Sequence, residues 1–438
     1  MRRWRLARSH SALWSQNCFR LHVSAAQTEP ARRVVLREGK ARLFKDGQPL
    51  VYGGAVSHTI GSPRTGDTVL VTDHRDNTVG WGFFNSESMF RVRVMQLHAE
   101  FQADAACVLA PEELIRTRIS AAVALRKALT LPNPSTNAYR LVNSEGDRMS
   151  GLIVDVISRH AVVASSAAWV ERWKPEIIKA IEHATQADSV SWLQTVGMLQ
   201  LEGVILDGLA DKRNLDRGAR QDVIKAKENG AVFMIPVAGG QKTGLYADQR
   251  DSRLYLRSLC ESSTVLDLCC YTGWFTINAA LGNAQHVTGV DTSQGALDLA
   301  ARNREVNGVE PEQCEFVCED ITHFMRDALT DGKTWDIVIL DPPKLAPNRK
   351  ALPRATGKYQ RWNASAMRLV RPGGLLMTCS CSGAMTQSKE FLTMIKAAAI
   401  AANRRVTVLR QVGAGPDHPL DPCYPEGEYL TNVLLCVH

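Results

Sequence analysis

The sequence predicts an α/β protein in three parts: an N-terminal β-barrel, a small central α/β module and a C-terminal Rossmann-like domain with a seven-stranded sheet. From Ser263 onwards, short apolar runs alternate with helical segments, the pattern of a parallel sheet with helices on its faces. The last two runs, 406–411 and 429–437, have no helix between them and should pair antiparallel. Residues 33–104 show short strands separated by glycine-containing turns, as a small barrel would.

The elements follow from these patterns in chain order. In the barrel, residues 34–36, 68–72 and 90–94 alternate or run apolar. A helix rich in Ala and Leu is expected over 105–131, followed by the strands and helices of the central module. The predicted bounds are 33–104 for the barrel, 105–228 for the central module and 229–438 for the C-terminal domain. The predicted C-terminal strands that precede helices are 265–267, 287–290, 316–317, 337–340 and 375–379.

Composition restricts the class of protein. At 438 residues, with 45% hydrophobic and 22% charged residues, the chain suits a multidomain globular protein. No apolar run approaches the ~18 residues of a transmembrane helix, so no membrane partner is expected. The 11 cysteines include no CxxC pair, which favours reduced thiols over a metal site.

The net charge of +7 comes mostly from the N-terminal segment. Residues 1–33 contain seven arginines and one acid, Glu29, so the rest of the chain carries only +1. An Arg- and Ser-containing segment with almost no acids is typical of an organelle transit peptide, which we assign to residues 1–32. The expected destination is the mitochondrion, with the plastid as the alternative. A basic tail that binds nucleic acid directly is the competing interpretation.

The first turn of the C-terminal domain, residues 267–274, predicts a cofactor without a pyrophosphate. It has one glycine, Gly273, where a dinucleotide fingerprint needs three. Five parallel strands followed by a hairpin are also the layout of a class I methyltransferase, which binds S-adenosylmethionine. Carboxylates at three strand ends would bind its hydroxyls and amines, and a helix N-cap is the alternative role for Asp320. The predicted cofactor ligands in the sheet are Asp267, Tyr271, Thr272, Gly273, Asp291, Asp320 and Asp341.

A polar, glycine-rich loop, residues 239–250, directly precedes this domain. Such a loop can fold over the methionine end of the cofactor, with Gln241, Lys242 and Tyr246 as donors. The alternative is an interdomain linker.

A thiol and a carboxylate at neighbouring strand ends suggest the chemistry. Carbon 5 of a pyrimidine is a poor nucleophile until a thiolate adds to carbon 6, and an acidic group must then hydrogen-bond the ring nitrogen. Cys381, beyond the strand 375–379, and Asp341, after the strand 337–340, supply this pair. Cys379 lies inside the apolar strand and is predicted to be a buried core residue.

Two basic segments are candidate RNA-binding surfaces. Residues 344–371 contain eight Lys and Arg residues, no acid, and two aromatic residues that could stack on bases. The first strand region of the barrel is also basic. Solvated surfaces are the alternative in both places. The predicted RNA-binding residues are Arg37, Lys40, Arg42, Lys344, Arg349, Lys350, Lys358 and Tyr359.

Several motifs together resemble the RlmI-type cytosine carbon-5 methyltransferases of bacterial large-subunit ribosomal RNA, over residues 33–438. They are Tyr139–Asp155, Gly240–Arg250, Asp267–Gly273, Asp341–Lys344, Ser380–Gly383, Asp417–Pro419 and Pro425–Leu430. The resemblance implies a PUA-like RNA-binding barrel and places the nucleophile at Cys381. Lys344 stands where other RNA cytosine methyltransferases have a second cysteine. Trp274 replaces a glycine of the family and is expected to reshape the cofactor pocket.

The expected function is therefore formation of 5-methylcytosine in large-subunit ribosomal RNA of an organelle. Two alternatives stay open: methylation of another base such as guanine, and an inactive RNA-binding assembly factor. The sequence does not determine the oligomeric state, and a homodimer is one of the states it allows.

Overall fold

The computed structural model describes residues 32–205, 223–236 and 244–438. The predicted transit peptide, up to residue 31, and the predicted cofactor ligands Gln241 and Lys242 lie outside the described residues. None of the helices in the described ranges has the length and hydrophobicity that a membrane-spanning segment requires.

The N-terminal part is a six-stranded sheet in the order β2-β6-β5-β4-β1-β3. Its pairs are antiparallel except for β1 with β4, and four of them contain a register shift that bends the sheet. Val34, Leu36, Val69, Val71 and Val92 form its closed apolar interior. The elements are β1 (Arg33–Leu36), α1 (Ala41–Lys45), β2 (Leu50–Tyr52), β3 (Val56–Ile60), β4 (Thr68–Thr72), β5 (Thr78–Phe84) and β6 (Phe90–Leu97).

The central module is a four-stranded sheet, ordered β10-β9-β8-β7, with helices packed on it. Its first helix begins at Pro111 rather than at residue 105, because proline suits the first helical turn. Trp173 separates two consecutive helices of this module. The elements are α2 (Pro111–Ala128), β7 (Ala138–Asn143), β8 (Leu152–Ile157), β9 (His160–Ser165), α3 (Ala168–Arg172), α4 (Lys174–Thr185), β10 (Ser189–Gln194) and α5 (Val196–Leu201).

A β-hairpin joins the central module to the C-terminal domain. Its strands are β11 (Val223–Glu228) and β12 (Ala231–Pro236), and their turn is the predicted Asn229-Gly230. The predicted domain boundary at 228/229 therefore divides a single supersecondary unit. Phe233 stacks on Trp274 at 3.9 Å between ring centroids, and the hairpin shares one apolar cluster with the C-terminal sheet.

The C-terminal domain has the predicted seven-stranded sheet, in the order β15-β14-β13-β16-β17-β19-β18. The first five are parallel, β19 pairs antiparallel with β18, as expected, and β19 also pairs antiparallel with β17. The sheet has an apolar core on each face. The strands are β13 (Thr264–Leu268), β14 (His286–Asp291), β15 (Cys314–Cys318), β16 (Trp335–Leu340), β17 (Val370–Ser380), β18 (Val406–Val412) and β19 (Thr431–Val437).

Helices cover both faces of this sheet. The last of them begins at Phe391 and follows a separate short helix, α11. The helices are α6 (Arg250–Arg257), α7 (Trp274–Leu281), α8 (Gln294–Val306), α9 (Ile321–Thr330), α10 (Leu352–Leu369), α11 (Gly383–Ser388) and α12 (Phe391–Ala402).

A buried carboxylate in the loop between β18 and β19 ties the central module to the C-terminal domain. Asp417 accepts two hydrogen bonds from Arg250, at 2.9 and 3.0 Å, and one from the amide of Arg140, at 2.9 Å. Arg126, itself paired with Asp147, donates to the Asp417 carbonyl at 2.7 Å. We call these five residues the polar joint.

Candidate active site

The carboxyl ends of four adjacent parallel strands, β14, β13, β16 and β17, form the candidate site. Their registers align Leu268 with Val290 and Leu340, and Leu340 with Thr378, so the residues that follow them lie along one edge. This edge of an open α/β sheet is where ligands bind.

Asp267 is the deeply buried acid of this edge. Its Oδ2 accepts the Thr276 hydroxyl at 2.6 Å, while its Oδ1 has no hydrogen-bond partner among the described residues. Burial raises the pKa of Asp267 to about 7, and the nearby charges of Asp341 and Asp291 add to the shift. The carboxyl group is therefore suited to a ligand that brings a donor or a positive charge.

The turn after β13 is held by Asp291. The two carboxylate oxygens of Asp291 accept the amides of Tyr271 and Ser293, each at 2.9 Å. Gly273 has φ +79°, and a Cβ there would lie 3.1 Å from the Ala300 Cβ. The positive φ and the tight contact with α8 both favour glycine at this position, and the predicted contact of Gly273 with the cofactor stays a prediction.

The two neighbours of Gly273, Thr272 and Trp274, are both buried. The Thr272 carbonyl accepts the Asn303 side chain at 3.0 Å, and Thr272 itself is buried. Trp274 packs between Phe233 of the hairpin and Arg253, whose guanidinium lies 4.9 Å from its ring. Trp274 therefore supports the hairpin, and the expectation that it reshapes the cofactor pocket stays a prediction.

Asp320 makes the contact of a helix N-cap. Its Oδ1 accepts the Thr322 amide at 2.8 Å at the start of α9. Partial burial opposes ionisation, but the hydrogen bonds from Thr322 and His323 lower the pKa of Asp320 overall. The capping role that the sequence left as an alternative is present, and the predicted adenine contact stays a prediction.

Tyr246 lies between the turn and the thiol. Its ring meets the Tyr271 ring edge to face, with centroids 5.7 Å apart. Burial raises the pKa of Tyr246, and the charges of Tyr271, Cys381 and Asp341 contribute to the shift. These electrostatic contributions place both predicted catalytic groups near the Tyr246 side chain.

The predicted nucleophile and its carboxylate partner occupy adjacent strand ends. Asp341 directly follows β16, and its amide donates to the Leu268 carbonyl at 3.3 Å. Cys381 directly follows β17 and is half-buried, with its Sγ 3.8 Å from the Pro342 carbonyl oxygen. The thiol therefore faces the segment that carries Asp341 rather than the protein core.

A cluster of hydroxyl groups fixes the residues on either side of Cys381. The Tyr359 hydroxyl bonds Ser380 Oγ at 3.0 Å and Ser382 Oγ at 3.1 Å. Ser382 Oγ also accepts the Ala346 amide at 3.0 Å, which ties in the segment after Asp341. All three hydroxyl-bearing residues are buried. Ser380 and Ser382 were not predicted as site residues, because their role depends on Tyr359, which precedes them by some twenty positions.

Tyr359 was predicted to stack on RNA, and this is corrected by the structure. Its side chain is 0% exposed and packs edge to face on Phe391. Trp362 is also buried and donates from Nε1 to Thr322 Oγ1 at 3.1 Å. Neither ring presents a face to a base, because both lie on the side of α10 that packs on the sheet.

Cys379 is a core residue, as predicted. It is 0% exposed, and its sulfur accepts the Asn432 side chain at 3.1 Å. Burial raises the pKa of Cys379 well above the usual thiol value. Asn432 on β19 is a further site-supporting residue without a local sequence signal.

The basic residues after Asp341 divide into two groups. Arg371 pairs with Asp336 and Arg368 donates to the Ala401 carbonyl, so neither adds to a patch at the active-site edge. Lys358 lies over the Trp362 ring at 4.2 Å. The exposed basic residues nearest to Asp341 in the chain are Lys344, Arg349 and Lys350.

The predicted basic residues of the barrel are exposed but partly engaged within the protein. Arg37 donates to the Val56 carbonyl at 2.9 Å, and Arg42 lies 3.6 Å from Asp46. Lys40 precedes α1 and is exposed. Within the described ranges, no group of three or more His, Cys, Asp or Glu residues is arranged to hold a metal ion.

Comparisons with known proteins identify the domains. Residues 34–97 match the PUA-like domain family, which confirms the predicted type of barrel. Residues 214–422 match the S-adenosylmethionine-dependent methyltransferase family. The chain superposes on a structure from Streptococcus mutans described as an S-adenosylmethionine-dependent methyltransferase, with a TM-score of 0.74 and 18% identity over 92% of this chain and 99% of that one. A methyltransferase structure complexed with SAH gives a TM-score of 0.72 at 18% identity, with the same coverage.

Curated relatives match almost the full length. The chain is 33% identical to ribosomal RNA large subunit methyltransferase I of Alteromonas mediterranea over 408 residues, which cover 92% of this chain and 98% of the relative. The Klebsiella pneumoniae protein of the same name is 32% identical, over 91% of this chain and 96% of its own length. The chain therefore belongs to the ribosomal RNA large subunit methyltransferase I family, and its C-terminal domain is an S-adenosylmethionine-dependent methyltransferase domain.

Proposed function

We propose that this protein methylates carbon 5 of a cytosine in large-subunit ribosomal RNA through a transient bond between Cys381 Sγ and carbon 6. The observation that carries the proposal is the half-buried Cys381 thiol, 3.8 Å from the Pro342 carbonyl and next to Asp341. The names of the relatives support ribosomal RNA as the substrate.

The residues present fit the cofactor of the family. Asp267, Asp291 and Asp341 lie close enough for the charges of the last two to raise the pKa of Asp267, and Oδ1 of Asp267 lacks a partner among the described residues. Such a group of carboxylates favours a cationic ligand. Bound S-adenosylmethionine carries a positively charged sulfonium and supplies an electrophilic methyl group. Asp291 would bind its hydroxyls, and Asp267 and Tyr246 would lie beside its other polar groups.

The side chains of this protein divide the activation of the base between them. The Cys381 thiolate adds to carbon 6. The electron pair of the double bond between carbons 5 and 6 is then no longer held between them, and carbon 5 becomes nucleophilic. Asp341, on the neighbouring strand end, would enter the reaction protonated and donate its proton to ring nitrogen 3 as the thiolate adds, which neutralises the charge on the ring. After methylation a base takes up the carbon 5 proton, the electron pair of that C–H bond restores the 5,6 double bond and expels the Cys381 thiolate, and nitrogen 3 returns its proton to Asp341.

RNA that contains 5-fluorocytosine tests this assignment. Fluorine cannot leave as a proton, so the Cys381–carbon 6 bond should persist and the protein–RNA adduct should survive denaturing electrophoresis. Bisulfite mapping of ribosomal RNA from cells with and without the protein should identify the same nucleotide. Methylated guanine, or cofactor binding without any methyl transfer, would contradict the proposal in favour of another base or an assembly factor.

Cofactor affinity should depend on pH through Asp267. Without bound cofactor, the pKa of the Asp267 carboxyl group is about 7. A cationic ligand favours the ionised form, so binding at lower pH must displace a proton from Asp267. We expect affinity to fall by up to about tenfold per pH unit below 7, and protons to be released on binding near neutral pH. Calorimetry in two buffers of different ionisation enthalpy measures both effects. The Asp267→Asn variant should bind weakly without this dependence, and equal proton release by both proteins would refute the role of Asp267.

Tyr359→Phe should slow catalysis without weakening substrate binding. The substitution keeps the ring packing on Phe391 but leaves Ser380 and Ser382 without a shared partner. Loss of a buried hydrogen-bonding group costs about 1–2 kcal/mol, so we expect kcat to fall roughly 5- to 30-fold at constant KM for RNA. The rate of Cys381 alkylation should change in parallel. Tyr255→Phe on α6 is the control, and an unchanged alkylation rate in Tyr359→Phe would show that the hydroxyl cluster does not position the thiol.

For localisation, we propose that residues 1–32 direct the protein to the mitochondrion, with the plastid as the alternative. The support is compositional: arginines at positions 2, 3, 5 and 8 and a single acid, Glu29. A fluorescent protein fused to residues 1–32 should enter mitochondria, and replacement of these four arginines by glutamine should prevent it. A fusion that stays in the cytosol would refute the proposal.

A further inference from the structure

We propose that a cleft between the barrel and the central module, lined by Arg32, Arg64 and Arg172, binds a backbone phosphate of the RNA substrate. The proposal rests on the proposed function in one respect, namely that the substrate is RNA. Arg64 comes from the barrel, Arg32 directly precedes β1, and Arg172 ends α3 of the central module. The site is separate from the residues predicted to bind RNA.

A buried carboxylate organises the cleft. Asp67 is only 7% exposed, and its Oδ1 accepts Arg172 Nη1 at 2.9 Å. Its Oδ2 accepts the Arg64 amide at 2.9 Å and lies 3.4 Å from Arg32 Nη1. Asp67 therefore holds arginine groups from two parts of the protein around one point.

The charges of the cleft do not cancel. Asp67 is the one acid among the described residues that line it, against three guanidinium groups. Partial burial opposes ionisation of Asp67, but the hydrogen bonds from Arg64 and Arg172 lower its pKa, so it stays ionised at neutral pH. Among the described residues that line the cleft, guanidinium groups therefore outnumber carboxylates, and the Arg64 side chain is exposed to solvent. Arginine pairs are well suited to phosphate because their donors match its oxygens.

The backbone is shaped to bring these groups together. Gly66 has φ +88°, and a Cβ there would lie 2.8 Å from Arg172 Cδ. Any larger residue would be strained at this φ and would force the Arg172 side chain to shift. Ser62, in the same loop, also has a positive φ, of 44°, which is uncommon outside glycine and is often found at ligand sites.

The cleft recognises charge rather than a base. Its volume is about 780 Å³, which is large enough for a phosphate with the sugars on either side. Its other lining residues are Gly61, Ser62 and Thr65, so the lining offers hydroxyl groups but, among the residues that the structure describes, no aromatic ring on which a base could stack. A phosphodiester of a polynucleotide fits this chemistry, and the same groups could also bind free phosphate or a mononucleotide.

The test compares RNA binding by the full chain and by Arg64→Ala, Arg172→Ala and the double variant. Fluorescence anisotropy with a labelled ribosomal RNA fragment is measured over a range of salt concentrations. We expect the double variant to bind about tenfold more weakly near 0.1 M salt, with the slope of log K against log salt reduced by roughly 0.7–0.9 for each phosphate that the protein no longer neutralises. The affinity should fall by a similar factor for fragments of unrelated sequence.

Arg159→Ala is the matched control, since it removes an exposed, carboxylate-paired arginine from the same central module. It should leave both affinity and salt slope unchanged. Arg64→Ala alone keeps the test decisive if Arg172→Ala affects folding, because the bond from Arg64 to Asp67 comes from the backbone amide, which alanine keeps. At saturating RNA, the variants should keep the wild-type kcat and show a raised KM.

The outcomes separate this site from the proposed function. Wild-type protein that methylates RNA while the double variant binds RNA equally well would refute the cleft alone. Wild-type protein that neither binds nor methylates RNA would refute the proposed function. Inorganic phosphate and cytidine monophosphate serve as competitors. Displacement of RNA only at millimolar concentrations supports a polynucleotide site, whereas binding of either as tight as RNA would assign the cleft to a free ligand.

Discussion

Replacement of Cys381 by alanine should lower methyl transfer by at least about 10⁴-fold, because it removes the group that forms the bond to carbon 6. Affinity for S-adenosylmethionine should stay nearly unchanged, since the carboxylates Asp267 and Asp291 are untouched. Single-turnover transfer to ribosomal RNA and calorimetric titration of the cofactor measure the two quantities separately. The 5-fluorocytosine adduct should be absent in this variant.

The control for this substitution lies on the same sheet. Cys436 on β19 is also half-buried, and its sulfur lies 3.8 Å from the Gly373 carbonyl near the opposite end of β17. Cys436→Ala removes an equivalent thiol with the same type of contact and should retain activity. Equal activity of Cys381→Ala and wild-type protein would exclude covalent catalysis through this sulfur.

Asp417→Asn should lower the free energy of unfolding by about 3–5 kcal/mol, because it removes the buried counter-charge of the Arg250 guanidinium and leaves it only the exposed Asp251, at 3.5 Å. Denaturant titration followed by tryptophan fluorescence measures the change. The exposed pair Arg159–Asp188 provides the control, and Asp188→Asn should cost no more than about 1 kcal/mol. A decrease for Asp417→Asn as small as that of the control would mean that the polar joint contributes little to stability.

The same carboxylate should make the free energy of unfolding depend on pH in the acidic range. Burial opposes ionisation of Asp417, but the hydrogen bond to His418 and the charge of Arg250 lower its pKa overall. A lowered folded-state pKa contributes stability that is complete above the unfolded value, about 3.9, and is lost as the pH falls below it. The difference between wild-type protein and Asp417→Asn should therefore be full at neutral pH and shrink in acid.

The architecture of the C-terminal domain could be predicted because its strands are buried on both faces. Residues 337–340 are apolar without interruption, and such runs between helical segments identify a parallel sheet. The acids at the strand ends were predicted for the same reason, since the carboxyl ends of parallel strands meet at one edge. The position of Asp320 is ambiguous by the same rule, because it ends a strand and also starts a helix that needs a cap.

The spacing of apolar residues on α10 already indicated that Tyr359 is buried and does not stack on RNA. On α10 the buried residues recur at intervals of three and four, which is one face of a helix. Tyr359 belongs to that face, whereas its neighbour Lys358 is exposed. Because basic residues surround Tyr359 and Trp362 in the sequence, the two aromatic residues were also predicted to lie on the surface. Their helical spacing instead indicates that both belong to the buried face. The residues of this buried face are Ala355, Tyr359, Trp362, Ala366 and Leu369.

Contacts between the domains could not be predicted from a single sequence. Arg172 and Asp67 are separated by 105 positions, and Arg250 and Asp417 by 167. Neither pair has a local spacing that a helix or a turn would impose. The sequence does not distinguish a buried arginine from an exposed one. The cleft around Asp67 and the polar joint could therefore be identified only from the structure.

The polar joint also limits how the protein can move when it meets its substrate. The backbone of the central module lies directly on the loop that follows β18, so that a Cβ at Gly146 would be 1.8 Å from the Pro419 carbonyl oxygen. A hinge at this contact would have to separate buried ion pairs and expose them to water, which is costly. We therefore expect the central module and the C-terminal domain to keep their relative positions, and the RNA to deform instead. Small-angle scattering should then find the same protein envelope before and after RNA binds.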